Sequence, residues 1–235
     1  MFPYMMFDPT YILLIPAILL AMYAQAKVSG TFRKYSRIMA SRHMTGAEVA
    51  RELLGSRGIY DVKVEMTQGR LSDHYDPRTK TLRLSPEVYQ SGSLAALGVA
   101  AHEVGHAFQH DTGYGPLKLR STIVPVASIG SQLAFPLLLA GLFFNIPNLA
   151  LIGVLAFSLA VIFQLITLPV EYNASSRALE ALETGGYLTR DEAGGTRKVL
   201  NAAALTYVAA TIMAVMQLLR LLVLSGLLGG SRRRR

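Results

Sequence analysis

The sequence AAHEVGHAFQH, residues 100–110, decides how the rest of the chain is organised. In an α-helix, His102 and His106 stand one turn apart on the same face, so both imidazoles point at one metal ion. Glu103 leans over the open side of that ion, in the H-E-x-x-H arrangement of zinc hydrolases. Two neutral imidazoles and a third ligand leave a fourth tetrahedral position for water, whose pKa zinc lowers toward about 7. Glu103 can then take the proton of that water.

The flanking residues favour a helix at this position. The sequence predicts Ser93 as the N-cap, and no proline follows before Pro116. The residues after the cap include good helix material, namely Leu94, Ala95, Leu97, Val99, Ala100 and Ala101. Gly98 and Gly105 lower the helix propensity but let another backbone lie close to the metal-bearing face. The competing interpretation is a helix that carries two histidines by chance. The context favours a zinc site, with one Zn²⁺ per chain.

Composition indicates a membrane protein with a modest polar portion. Of 235 residues, 51% are hydrophobic and only 16% are charged, which differs from ordinary soluble proteins. The chain has no cysteine, so disulfides and thiolate metal ligands are excluded. The formal charge is +8, but no nucleic-acid motif accompanies it. The sequence therefore predicts a lipid bilayer as partner and no nucleic acid.

The predicted organisation alternates apolar spans with polar segments. Residues 9–26 are long enough to cross or nearly cross a bilayer. A cleaved signal peptide is the alternative, because residues 24–26 (AQA) fit a cleavage site, but the basic start of such peptides is missing. The remaining segments are a polar part with the H-E-x-x-H helix at 27–122, spans at 123–144 and 149–170, a polar helix and linker at 171–199, a transmembrane or membrane-packed helix at 200–228, and a basic tail at 229–235.

Within residues 27–122, the pattern predicts a small α+β domain. Thr45 and Glu48 form a capping box that opens a helix. Alternating apolar residues at 62–66 and a turn at 76–80 predict a small sheet that ends in a hairpin.

Charge predicts the orientation. With the N-terminus outside, the basic residues of 27–120 lie in the cytoplasm and the uncharged turn at 145–148 lies outside, as the positive-inside rule requires. A full crossing by 200–228 would export the four arginines of the tail, so that segment either crosses or is only partly inserted. We expect an integral protein of a bacterial inner membrane with its catalytic part on the cytoplasmic side.

The third ligand must be a histidine or a carboxylate. An astacin-type site needs a histidine six residues after His106, where Thr112 stands. His110 lies a further turn along the helix, too far from His102 to share its ion, and is expected in the second shell or at the surface. Glu171 is the better candidate, because a membrane hairpin of residues 123–170 returns it to the face of His106. A solvated carboxylate at a helix end is the alternative role for Glu171.

Four motifs resemble the YugP-type neutral zinc metallopeptidases and, more distantly, the HtpX-type membrane peptidases. They are residues 101–110, 73–85 (DHYDPRTKTLRLS), 169–175 (PVEYNAS) and 200–209 (LNAAALTYVA). The resemblance implies a mainly α membrane protein with transmembrane helices and a small zincin-like α+β domain of the gluzincin type. It further implies His102, His106 and Glu171 as zinc ligands and Glu103 as the catalytic residue. HtpX-type enzymes carry an aspartate where Ser175 stands here, so the partner that orients a ligand histidine differs.

Three functions compete. The first is a zinc endopeptidase acting on a polypeptide substrate, with His74, Tyr172, Arg177 or Tyr207 as oxyanion donor and Asn173, Ser175 or His110 as supporting residues. The hairpin near residues 73–75 offers an edge strand for an extended peptide.

The second function is a non-catalytic membrane scaffold or adaptor with a structural zinc. The third is a small channel, for which only Arg220 is a charged residue within a span. A homo-oligomer or a membrane-protein partner stays open.

Overall fold

A computed structural model describes residues 9–227 of the chain. The described part is mainly helical. A 3₁₀ turn, Pro9–Leu14, leads into α1, Ile15–Tyr35, and the other helices are α2 Gly46–Ser56, α3 Pro86–Tyr89, α4 Leu94–Asp111, α5 Gly115–Phe143, α6 Pro147–Thr184 and α7 Arg190–Leu224. Three short strands follow α2: β1 Lys63–Met66, β2 His74–Asp76 and β3 Thr81–Leu84. The basic tail and residue 228 lie outside the described residues.

The described chain divides into two compact units. The apolar unit contains residues 9–23, 119–168 and 207–227, and the polar unit contains residues 24–118 and 169–206. Four helical stretches are long and apolar enough to cross a membrane, namely Pro9–Tyr35, Gly115–Phe143, Pro147–Thr184 and Arg190–Leu224. The sequence expectation of a mainly α protein with apolar helices and a small sheet is therefore confirmed at this level.

In the apolar unit, α5 and α6 form a closely packed helical hairpin. Asn145, at φ +54°, lies in the short connection between them. A Cβ atom added to Gly153 would lie 2.7 Å from the carbonyl oxygen of Ala134, so the glycine lets the two backbones approach. Leu138, Val154 and Leu221 belong to the buried cluster of this unit.

Arg220 lies within α7 and is the charged residue that the sequence places inside an apolar span. Arg220 is only 4% exposed. Its Nε donates a hydrogen bond to Oγ1 of Thr10 at 3.1 Å, and its guanidinium lies 3.7 Å from the ring centroid of Tyr11. The start of the chain therefore covers Arg220, and a hydroxyl and an aromatic face take the place of water around the charge.

The polar unit is built around α4. Thr45 and Glu48 form the expected capping box at the start of α2, and α2 packs against α4. Leu53, Leu97, Val104 and Phe108 are among the fully buried side chains of this core. Because the burial of each such side chain stabilises the fold by about 1.5–3 kcal/mol, the core holds α4 firmly in place.

The sheet has the strand order β1-β3-β2. β1 pairs with β3 in parallel, with Lys63 opposite Thr81, and β2 pairs with β3 in antiparallel fashion, with Tyr75 opposite Leu82. The pairing of β2 with β3 matches the predicted hairpin. The sequence did not indicate that β1 lies on the far side of β3. The other edge of β2 pairs with no strand in the described part of the chain.

The glycine pair 194–195 lies inside α7, whereas the sequence pattern placed it in a linker. A Cβ atom at Gly195 would lie 2.8 Å from Cε1 of Tyr35 and 3.0 Å from Cδ1 of Leu94. The glycine is therefore required by close packing rather than by a turn, and the linker within residues 171–199 is limited to the segment between Thr184 and Arg190. The next residue, Thr196, is fully buried and donates a hydrogen bond to the carbonyl oxygen of Leu94 at 3.2 Å.

Candidate metal centre

Helix α4 presents two histidines on one face. The hydroxyl of Ser93 accepts a hydrogen bond from the backbone N–H of Ala96, which caps the helix start. The imidazoles of His102 and His106 lie one turn apart, with ring centroids 4.8 Å from each other and the rings nearly perpendicular. Both side chains are mostly shielded, with 15% and 12% of their surface exposed. The two rings therefore line the same pocket.

Helix α6 brings a carboxylate to the two imidazoles. A Cβ atom at Gly105 would overlap the carbonyl oxygen of Ala174 and lie 3.0 Å from the carbonyl carbon of Ala174. This close approach of the α4 and α6 backbones places Oε2 of Glu171 at 3.2 Å from Nε2 of His102 and at 3.4 Å from Nε2 of His106. Glu171 is 2% exposed, so it is not the solvated helix-end carboxylate of the alternative interpretation.

The three side chains form a donor set that fits zinc. One donor atom from each of His102, His106 and Glu171 lies within 4.8 Å of the other two, and no other His, Asp or Glu within residues 9–227 joins the group. Two imidazoles and one carboxylate are typical ligands of a catalytic zinc ion, which keeps a fourth position open. A site without thiolates also agrees with the absence of cysteine.

The charges around His106 favour a cation in this pocket. Burial opposes protonation of the imidazole, but the hydrogen bond to Glu171 and the negative charges of Glu103 and Glu171 outweigh it, so the pKa of His106 is raised above 6.5. The pocket thus attracts positive charge to the ring. A divalent cation would meet the same charges while binding the neutral imidazole.

Glu103 faces this pocket without a fixed partner. It is 8% exposed, and its carboxylate makes no hydrogen bond or ion pair within the part of the chain that the structure describes. A carboxylate so shielded from water and not engaged elsewhere is available to accept a proton. This is the property that a general base requires.

A second layer of side chains holds the two imidazoles. Oγ of Ser175 lies 3.0 Å from Nδ1 of His102, and Oε1 of Gln109 lies 3.0 Å from Nδ1 of His106. In both rings the contact is with Nδ1, so Nε2 is left for the pocket. Gln109 was missed among the candidate residues, although its place three residues after His106 puts it next to that ring on the helix.

The other predicted site residues occupy different positions. Asn173 accepts a hydrogen bond from Nε of Arg177 at 2.8 Å and belongs to the layer behind the imidazoles. His74 is exposed and contacts the carbonyl oxygen of Ser72, and Tyr172 is 50% exposed. Tyr207 belongs to the apolar unit.

His110 contacts the sheet rather than the donor cluster. Its Nδ1 lies 2.8 Å from the hydroxyl of Tyr75 on β2. Burial, followed by the charges of Asp61, Asp76 and Asp111, raises the pKa of Tyr75 to about 12, so the hydroxyl keeps its proton at neutral pH. The pair fixes β2 against α4. The sequence offered no signal for Tyr75, because the contact joins residues 35 positions apart.

Comparisons with known proteins identify the family of this chain. A family profile described as "Putative neutral zinc metallopeptidase" matches residues 10–226. The chain is 49% identical over 212 residues to the "Putative membrane protease YugP" of Bacillus subtilis strain 168, covering 90% of this chain and 94% of the relative. No solved structure matches significantly. The resemblance to the YugP-type neutral zinc metallopeptidases is thus confirmed, and the chain belongs to the neutral zinc metallopeptidase family.

Proposed function

We propose that the protein is a membrane-embedded, zinc-dependent endopeptidase of the gluzincin type, with a zincin-like domain in its polar unit. The observation that carries the proposal is the convergence of Nε2 of His102, Nε2 of His106 and Oε2 of Glu171 on one pocket beside the unengaged carboxylate of Glu103. Membership in a zinc metallopeptidase family and similarity to a protein named a membrane protease support a protease role.

In the proposed mechanism, His102, His106 and Glu171 would hold a zinc ion, which would supply Lewis-acid activation of water and of the scissile carbonyl. Glu103 accepts the proton of the attacking water and later donates it to the leaving amine, as a general base and then a general acid. Shielding of Glu103 from solvent prevents loss of that proton. His102 and His106 keep the orientation that their Nδ1 contacts give them.

The substrate is proposed to be an extended polypeptide that binds along β2. One edge of this strand pairs with β3, and the other edge pairs with no strand in the described chain. Tyr75 on β2 is bonded to His110 on the helix that carries both imidazoles, so a peptide added to the free edge would run close to α4. Main-chain hydrogen bonds would hold such a peptide with little sequence preference.

The alternative of a non-catalytic scaffold with a structural zinc is less well supported. A structural zinc site is normally closed by four protein ligands. Among residues 9–227, three side chains form the cluster, and Glu103 would have no role in a purely structural site.

Cleavage of an unfolded protein by the purified full-length chain in detergent tests the proposal. The wild type is expected to cleave and to stop when a zinc chelator is added. Glu103→Gln should keep zinc and lose at least about 10²-fold in rate, in line with the loss of an acid–base catalyst. Glu180→Gln, a change at an exposed carboxylate of α6, is the matched control and should cleave like the wild type. Equal cleavage by Glu103→Gln and wild type would refute the mechanism.

We also propose that the polar unit faces the cytoplasm of a bacterial cell membrane, as the distribution of basic residues predicts. The chain has no cysteine, so single-cysteine labelling has no background. Tyr60, which is 84% exposed in the polar unit, and Asn148, which is exposed at the α5–α6 turn, are suitable positions. An impermeant thiol reagent added to intact cells should label Asn148→Cys but not Tyr60→Cys. The reverse pattern would exclude this orientation.

A further inference from the structure

On the side of His106 away from Glu171, three polar side chains, Gln109, Asn173 and Arg177, are connected by hydrogen bonds. Nε of Arg177 donates to Oδ1 of Asn173 at 2.8 Å. Nε2 of Gln109 donates to the same oxygen at 3.0 Å and to the carbonyl oxygen of Val170 at 2.7 Å. Oε1 of Gln109 then lies 3.0 Å from Nδ1 of His106. Gln109 is fully buried, so water does not compete for its amide.

Two groups fix which atom donates and which accepts in each of these hydrogen bonds, because one of them can only accept and the other can only donate. A backbone carbonyl can only accept, so the Gln109 atom that faces Val170 must be the amide nitrogen. A guanidinium can only donate, so the Asn173 atom that faces Arg177 must be the oxygen, which in turn accepts from Gln109. Both constraints turn the amide of Gln109 the same way. The donor and acceptor roles of these two partners alone therefore determine which atom of the Gln109 amide is the oxygen and which is the nitrogen.

The remaining atom of Gln109, its oxygen, can only accept. Nδ1 of His106 must then carry the hydrogen, and the lone pair of the neutral imidazole is on Nε2, the atom that faces Glu171. We infer that Gln109 is a positioning residue, which sets the tautomer of His106 and thereby prepares Nε2 to bind the metal ion. This inference rests on the proposed zinc centre.

The other ligand histidine is held differently. Nδ1 of His102 faces the hydroxyl of Ser175, and a hydroxyl can both donate and accept. Ser175 therefore does not dictate the tautomer of His102. Gln109 therefore fixes the tautomer of only one of the two imidazoles, that of His106. Its own orientation is fixed by the carbonyl of Val170, which precedes Glu171 on α6.

The test is the zinc dissociation constant of the full chain in detergent, measured by competition with a chromophoric chelator. Gln109→Met keeps the side-chain length but cannot offer a good acceptor, and zinc binding is expected to weaken 10–100-fold. Gln109→Glu keeps an oxygen acceptor for Nδ1 of His106 and, with its other oxygen protonated, can still donate to the carbonyl oxygen of Val170, so it should bind zinc more tightly than Gln109→Met. Thr196→Val is the matched control, because Thr196 is equally buried and bonds to a backbone carbonyl away from the ligands. It should leave zinc binding within threefold of wild type.

Binding by Gln109→Met within threefold of wild type would overturn the inference, as would an equal loss in Thr196→Val. Should Gln109→Met fail to fold, ¹⁵N-histidine NMR of the zinc-loaded wild type decides. Nδ1 of His106 is expected to carry the proton, and a protonated Nε2 would refute the assignment. The readouts are binding and protonation rather than cleavage. A wild type that binds no zinc would refute the proposed function, whereas zinc binding that does not depend on Gln109 would refute only this inference.

Discussion

Gly105 and Ala174 touch so closely that a Cβ atom at position 105 would overlap the Ala174 carbonyl oxygen and lie 3.1 Å from the Ala174 Cα. This contact lies between the helix with both imidazoles and the helix with the carboxylate. The spacing of the two backbones therefore sets the distance from Glu171 to His102.

Gly105→Ala is expected to push α4 and α6 apart. Overpacking of this kind costs about 1–3 kcal/mol and would move Glu171 away from both imidazoles. Zinc content and melting temperature should both fall. Gly194→Ala is the control, because Gly194 lies in α7 with open space around its Cα and the change should stabilise the helix by up to about 1 kcal/mol. A zinc content unchanged in Gly105→Ala would show that the close approach is not needed.

Glu171→Ala should lose zinc more strongly than any change behind the ligands. Loss of a residue that only supports a ligand costs about 10–100-fold in metal affinity, so removal of a ligand should exceed about 100-fold. Metal analysis of the purified variant, beside Glu180→Gln, gives the answer. Full zinc occupancy in Glu171→Ala would reject Glu171 as the third ligand.

Ser175 offers a test in both directions. Its Oγ lies 3.0 Å from Nδ1 of His102, so Ser175→Ala should weaken zinc binding by about tenfold. Ser175→Asp places a carboxylate at the same point, as in HtpX-type enzymes, and a charged acceptor increases the basicity of the ring. Zinc binding should therefore be tighter in Ser175→Asp than in wild type. Equal affinities in all three proteins would mean that this contact does not support the ligand.

The stability of the metal-free protein and the stabilisation by zinc should depend on pH with opposite sign. In the metal-free fold the pKa of His106 is raised above 6.5, despite burial, by Glu171 and Glu103. Its proton therefore contributes stability that is complete below pH 6.5 and is lost as the pH rises through the raised pKa. Zinc requires the neutral ring, so the proton competes with it.

Melting curves at pH 6.5 and pH 8 measure both effects. With chelator, the melting temperature should be higher at pH 6.5 than at pH 8. The increase caused by zinc should be larger at pH 8. The Glu171→Gln variant removes the main partner of His106 and should flatten the first dependence. A metal-free protein that is less stable at pH 6.5 than at pH 8 would contradict the raised pKa of His106.

Arg220 should matter for the stability of the apolar unit. Arg220→Met removes a charged hydrogen bond to Thr10 and the contact with the Tyr11 ring, with an expected cost of about 1–3 kcal/mol. Arg197→Met is the control, because the exposed pair of Arg197 with Glu183 is expected to contribute about 1 kcal/mol or less. Similar melting temperatures for the two variants would argue against the importance of the buried guanidinium.

Residues close in sequence allowed the surest predictions. The spacing of His102 and His106, the cap at Ser93 and the capping box of Thr45 depend on local helix geometry, which a sequence pattern carries directly. Glu171 was predicted as the third ligand because a membrane hairpin was expected to return it to the face of His106, and because the family resemblance implied it. The structure brings it to the same pocket, and its role as a ligand stays a prediction.

Features that depend on tertiary packing could not be predicted from the amino-acid sequence. The orientation of Gln109 depends on a carbonyl of α6, 61 positions away, and the order of β1 and β3 depends on a parallel pairing without a turn signal. At Gly195 the propensity for a chain break was overridden by contact with Tyr35 and Leu94. In each case the deciding partner lies on another element.

The late position of Glu171 has a consequence for biosynthesis. The carboxylate follows the second imidazole by 171 − 106 = 65 positions, and α5 with most of α6 is made in between. A nascent polypeptide that has released His106 from the ribosome still holds only two of the three donors. On the proposed ligand set, the zinc site is therefore complete only after the membrane hairpin has been synthesised.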